Sequence, residues 1–97
     1  MLYALMCKDK PGSLDLRMSN RPAHVEYLKS LEASGVLKMA GPLLDDEEKP
    51  MGSLLVLSAG DIKEAEAIAA GDPYAMAGLF ASTEIRAFNW VFKNPEA

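Results

Sequence analysis

The apolar positions of this chain change period from block to block, and each change marks an element. Leu2 to Lys8 is a near-continuous apolar run closed by Asp9, Lys10, Pro11 and Gly12, which reads as a first strand followed by a turn. The loop is expected to continue to Asn20. From Arg21 to Ser34, His24, Tyr27, Leu28 and Leu31 recur at i, i+3, i+4 and i+7. That spacing predicts a helix with Ser19 or Asn20 as N-cap, Pro22 in its first turn and Gly35 just past its end. Val36 to Leu44 reads as a second strand, in which Gly41-Pro42 marks a bulge or an edge position because proline has no N–H for a ladder.

Asp45 to Lys49, with Pro50 behind it, has the composition of a solvated hairpin loop, and Gly52 to Ser58 returns to a strand pattern. Asp61 and Glu64 have the spacing of a capping box, with Asp in the place of Ser or Thr, and open a second helix from Ile62 to Ala70. Gly71 stops that helix. Asp72-Pro73 then offers N-cap and N1 chemistry for a short helical turn through Met76 or Ala77, which Gly78 ends. Ser82 to Phe92 is predicted as the last strand, with Arg86, Phe88, Trp90 and Phe92 on one face and Ile85, Ala87, Asn89 and Val91 on the other.

The order β-α-β-β-α-β predicts an α+β fold of the ferredoxin-like kind, with both helices on one face of an antiparallel sheet. The predicted strands are nonetheless apolar on both faces. Tyr3, Leu5 and Cys7 alternate with Leu2, Ala4 and Met6, and Leu55 and Leu57 alternate with Leu54 and Val56. Two helices cover one face only, so the other face is expected to pack against a second copy in a homodimer. The 97 residues leave room for one core, residues 1–97 being read as a single domain. A domain this small has a modest apolar interface of its own to gain by folding, which also favours association.

Charge and residue inventory narrow the function classes. Ten Lys+Arg against fourteen Asp+Glu give a net charge of −4 with no basic stripe, which disfavours a nucleic-acid partner because the phosphate backbone dominates that affinity. The apolar start is too short for a membrane span and lacks the charged region and cleavage site of a secretory signal, so no membrane partner and a cytoplasmic location are expected. Cys7 is the only cysteine and His24 the only histidine, so neither an internal disulfide nor a metal site of the usual zinc ligands is expected. Cys7 lies within an apolar run, as a packing thiol would. No phosphate loop, dinucleotide fingerprint, nucleophile elbow or HExxH helix is present, and no organic cofactor is expected.

Candidate chemistry then gathers around few residues. His24 lies on the helix stripe that faces the sheet, close to the end of the first loop. It is either a core histidine satisfied by backbone or an acid–base group oriented by a carboxylate. Asp72 reads first as an N-cap. Arg17 and Arg21, four apart, form either an anion-binding patch beside His24 or two solvated surface charges. Tyr74, two residues beyond Asp72, either donates a hydrogen bond to a ligand or packs through its ring.

The order and spacing of Arg17-x-x-x-Arg21-Pro22-x-His24, Tyr27-Leu28, Gly41-Pro42-Leu43, Asp72-Pro73-Tyr74, Ala77-Gly78-Leu79 and Trp90-Val91-Phe92 resemble the YciI-like (YCII-related) family over nearly the whole chain. The resemblance implies a ferredoxin-like protomer that pairs through its sheet into a dimeric α+β barrel. It also implies an active site built on a His–Asp pair, here His24 and Asp72, with Arg17, Arg21, Gly41, Pro42 and Tyr74 as pocket residues. The activity implied for some members is acid–base lyase chemistry on small rings, including dehydrochlorination. The expectation is therefore a cofactor-independent lyase or isomerase acting on a small-molecule ligand, anionic if the arginines receive it. The alternatives are a non-catalytic metabolite-binding or regulatory dimer, and a purely structural dimer.

Overall fold

Strand β1 (Leu2–Asp9) is the centre of the molecule because its alternation is the most regular in the chain. Tyr3, Leu5, Cys7 and Asp9 are buried on one face, while Leu2, Ala4, Met6 and Lys8 look the other way. It pairs antiparallel with β3 (Pro50–Ser58) on one side and β4 (Phe80–Phe88) on the other, and β2 (Leu37–Leu44) adds to β3 as an edge. The sheet order β2-β3-β1-β4 is that of the ferredoxin-like fold. Helices α1 (Leu14–Ala33), α2 (Ile62–Ala70) and the short α3 (Pro73–Met76) complete the chain, of which the computed structural model describes residues 1–96.

The helix-side core joins Tyr3, Leu5 and Cys7 to Leu55, Leu57 and Ala65 of β3 and α2. Register fixes this arrangement, since Tyr3 faces Leu57 and Leu5 faces Leu55, so side chains of like parity meet beneath the helices. A Cβ on Gly52 would run into the backbone carbonyl of Cys7, which explains glycine where β3 closes on β1. On the opposite face Met6, Met39 and Phe88 are among the exposed large apolar residues.

Several element boundaries differ from the sequence reading. Helix α1 begins at Leu14 rather than Arg21, so Pro22 lies inside it and neither Ser19 nor Asn20 is its N-cap. The hydrogen bond that Pro22 cannot make would go to the Met18 carbonyl, and both residues are exposed, so water can serve that acceptor in place of the helix. The first turns are held instead from the buried side, by Arg17. Strand β3 starts at Pro50, ahead of Gly52, and β4 runs Phe80–Phe88 rather than Ser82 to Phe92. The cause at the far end is pairing: Phe88 faces Leu2, where β1 begins, and beyond it Trp90 and Phe92 have no ladder to join.

Gly41-Pro42 does sit on an edge strand, but the register irregularities of β2 fall at Leu37/Met39 and Leu43/Leu44 instead. The Asp61 cap accepts from the Glu64 N–H as expected. The Glu64 carboxylate reaches back to the Gly60 N–H, one residue before the cap. Gly35 takes φ +80° just past α1, the left-handed stop that glycine permits.

Candidate active site

Helical spacing places Arg17, Arg21, His24 and Leu28 along one face of α1, above β3 and β2. Asp72 arrives from the far end of the chain as the N-cap of α3, where its Oδ1 accepts the Tyr74 N–H at 2.9 Å. The capping role stops Asp72 from swinging, and the same carboxylate receives His24. Nδ1 of His24 lies 2.8 Å from Asp72 Oδ1 and 3.0 Å from Oδ2, with both residues buried. The N-cap and the carboxylate partner of histidine are thus one group, and the two readings of Asp72 are compatible.

A carboxylate only accepts, so this contact sets the neutral imidazole proton on Nδ1 and the lone pair on Nε2. Every side-chain nitrogen or oxygen sealed from solvent among the described residues has a partner, so an atom without one must keep some access. Nε2 has none, and the ring lines a hollow of about 380 Å³, so this nitrogen is the one open to whatever enters. Tyr74 stacks on the same ring, with centroids 3.9 Å apart and planes 15° from parallel, and Phe80 meets Tyr74 edge-on at 6.1 Å. Burial raises the Tyr74 phenol above its ordinary pKa, against the opposing pull of Arg17 and Arg21, and so favours its neutral form.

Arg17 and Arg21 do not form the surface pair their spacing suggested. Arg17 is 4% exposed, donates to both Asp9 oxygens at 2.7 and 3.1 Å and to Ser53 Oγ at 2.7 Å, and lies with its guanidinium carbon 4.6 Å from the Tyr74 ring centroid. Burial works against its charge, but the Asp9 carboxylate more than offsets this and holds the guanidinium above its ordinary pKa. Its charge is therefore already matched inside the protein. Arg21 is exposed, lines the same hollow, and makes no ion pair among the described residues.

Gly41 and Pro42 come to the hollow from the β2 edge, and Tyr74 closes it beside His24. All the expected pocket residues thus share one cavity wall, while Asp72 stands behind His24. Asp9 and Ser53 were missed, and both carried a signal. Asp9 continues the buried parity of Tyr3, Leu5 and Cys7, and Ser53 that of Leu55 and Leu57, so each is a polar residue at a core position. Among the described residues no group of three or more His, Cys, Asp or Glu side chains is gathered as a metal centre. Among these residues no helix is long and apolar enough to cross a membrane.

An antiparallel sheet in this order with its helices on one face defines an α+β protomer of the ferredoxin-like class, a fold shared with solved proteins of other names. An antibiotic biosynthesis monooxygenase superposes with a TM-score of 0.55 at 12% identity, over 94% of this chain and 99% of that one. The chain itself belongs to the YCII-related family, whose domain model matches residues 1–89. Protein YciI of Escherichia coli is 36% identical over 98 residues, covering 95% of this chain and 100% of that one. Similarity is also found to 5-chloro-2-hydroxyhydroquinone dehydrochlorinase from Burkholderia phenoliruptrix, solved in complex with 2,5-dihydroxybenzoquinone. That structure is 35% identical, covers 92% of this chain and 94% of its own, and superposes with a TM-score of 0.82.

Proposed function

We propose that the chain is a cofactor-independent acid–base enzyme of lyase or isomerase type, acting on a small ring compound. The observation that carries this reading is the orientation of His24: Nδ1 is held by a buried carboxylate, and Nε2 is left free on the wall of a cavity. That is the arrangement a general base needs, because Asp72 fixes the tautomer and stabilises the imidazolium that forms. In an elimination, Nε2 takes the proton from a ring carbon, the C–H electron pair becomes the new π bond, and the leaving group departs with the pair of its own bond. In an isomerisation, the same imidazolium returns its proton to another carbon. Arg21 supplies the attraction for an anionic ligand, while Gly41, Pro42 and Tyr74 shape the space it occupies.

The dehydrochlorinase named above, which shares this fold at 35% identity, supports elimination as the form of the chemistry. The apolar outer face of the sheet, with Met6, Met39 and Phe88 exposed, supports a homodimer closed through that face. The protein acts in the cytoplasm on this reading, without nucleic acid or membrane as partner. A non-catalytic metabolite-binding dimer is the second reading, and the test separates the two.

In D2O, chlorinated hydroquinones and cyclic keto acids are followed by NMR for C–H exchange and chloride release. The wild type is expected to catalyse one or both, and His24→Gln to lose roughly 10²–10⁴-fold, the range for a positioned proton-transfer group. Binding without exchange or turnover establishes the metabolite-binding module instead. Full activity in His24→Gln refutes the role of His24.

A further inference from the structure

The Ser53 hydroxyl carries an unspent hydrogen-bonding capacity in the same cavity. Ser53 is 2% exposed on the helix side of β3 and receives Nη2 of Arg17 at 2.7 Å. Arginine only donates, so this bond occupies an oxygen lone pair and leaves the hydroxyl proton uncommitted. No acceptor for that proton is found among the described residues, and no hydrogen bond joins Ser53 to His24. Ser53 nonetheless lines the cavity that His24 faces. A buried hydroxyl with an unused proton is costly unless something that enters the cavity accepts it.

We propose that Ser53 is a substrate-binding residue whose hydroxyl donates to an oxygen of the ligand: a ring carbonyl, enolate or phenolate. This rests on the reading of His24 as the base and adds the class of group that must sit beside the carbon it deprotonates. Removing a proton next to a carbonyl drives charge onto the oxygen, and a fixed donor stabilises that charge as it forms. Arg17 strengthens the donor by polarising the hydroxyl it bonds, and Asp9 keeps Arg17 both charged and immobile. The cavity floor thereby offers a polarised neutral donor while the net charge remains matched beneath it. Ser53 is not an activated nucleophile, because no base is in hydrogen-bond contact with it.

The test uses two probes that differ by one oxygen, 4-nitrophenolate and nitrobenzene, titrated against the intact protein and its variants by calorimetry. The wild type should prefer the phenolate. Ser53→Ala should weaken 4-nitrophenolate by roughly 10–100-fold, the range for one hydrogen bond to a charged group, and leave nitrobenzene unchanged. Ser53→Thr, which keeps a hydroxyl, should retain the preference. If Ser53→Ala does not fold, Ser53→Cys replaces it, since a thiol is a weak donor and should lose the preference as well. Equal loss for both probes, or a preference that survives without the hydroxyl, overturns the role of Ser53 and leaves His24 as the base intact. Failure of the wild type to bind either probe overturns the small-ring reading itself.

Discussion

Replacing Asp9 by Asn, or Arg17 by Met, asks what holds the first turns of α1 against the sheet. The two side chains are 6% and 5% exposed, and they meet through two hydrogen bonds at 2.7 and 3.1 Å. Removing one partner leaves a buried charge without its counter-ion, at a cost of about 3–5 kcal/mol. Against a total stability of roughly 5–15 kcal/mol for a domain of ordinary stability, that is a large fraction. At roughly 4–8 °C per kcal/mol for a domain of this size, each single variant should melt at least about 12 °C below wild type. The double variant Asp9→Asn with Arg17→Met leaves no unpaired charge, so its loss should be smaller than the sum of the two and close to or below that of either. Urea unfolding followed by circular dichroism measures all four proteins, with unchanged m-values as the check on two-state behaviour. Strictly additive losses, or single losses under about 1 kcal/mol as for an exposed pair, would refute the claim that the charge of Arg17 is spent inside the protein.

Arg21 should behave in the opposite way, because it is exposed on the cavity wall and has no ion pair among the described residues. Arg21→Gln is expected to weaken 4-nitrophenolate several-fold at about 0.1 M salt and hardly at all at about 1 M, where the screening length falls from about 10 Å to about 3 Å. A loss that ignores salt would argue against long-range attraction. On the alkaline side, burial pushes the Cys7 thiol from 9.0 up to about 11, partly offset by the neighbouring Thr83 side chain. The unfolded thiol ionises first, so its contribution is intact below pH 9.0 and stability falls as pH rises from there towards about 11, by up to about 3 kcal/mol from this group. Burial also raises the pKa of Tyr27 and Tyr74, which adds to the same alkaline decline. Denaturant midpoints measured across that range should drop in the wild type and drop less in Cys7→Ala; a flat profile would mean that the thiol is solvated.

What the sequence determined by itself was the set of local choices. The order of elements, the capping residues Asp61 and Asp72, the glycine stop at Gly35 and the two-faced apolar strands were all legible, because caps and periodicity are read within a turn or two of chain. The fold class and the family followed from those choices and from the spacing of short motifs. The start of α1 did not. Pro22 looks locally like a first-turn residue, and only the buried Arg17–Asp9 pair, with an exposed face that tolerates the missing hydrogen bond, extends the helix back to Leu14. The end of β4 was likewise set by its neighbour, since a strand lasts only as long as β1 is there to pair with it.

The site divides in the same way. His24 and Asp72 were nameable from the family resemblance, but 48 residues separate them, and their 2.8 Å contact exists only because α3 docks its N-cap beside α1. A separation of four residues suggested that Arg17 and Arg21 act together. Tertiary structure separated them, burying the first against Asp9 and leaving the second open, because burial is a property of what packs above a residue and is not contained in its position along the chain.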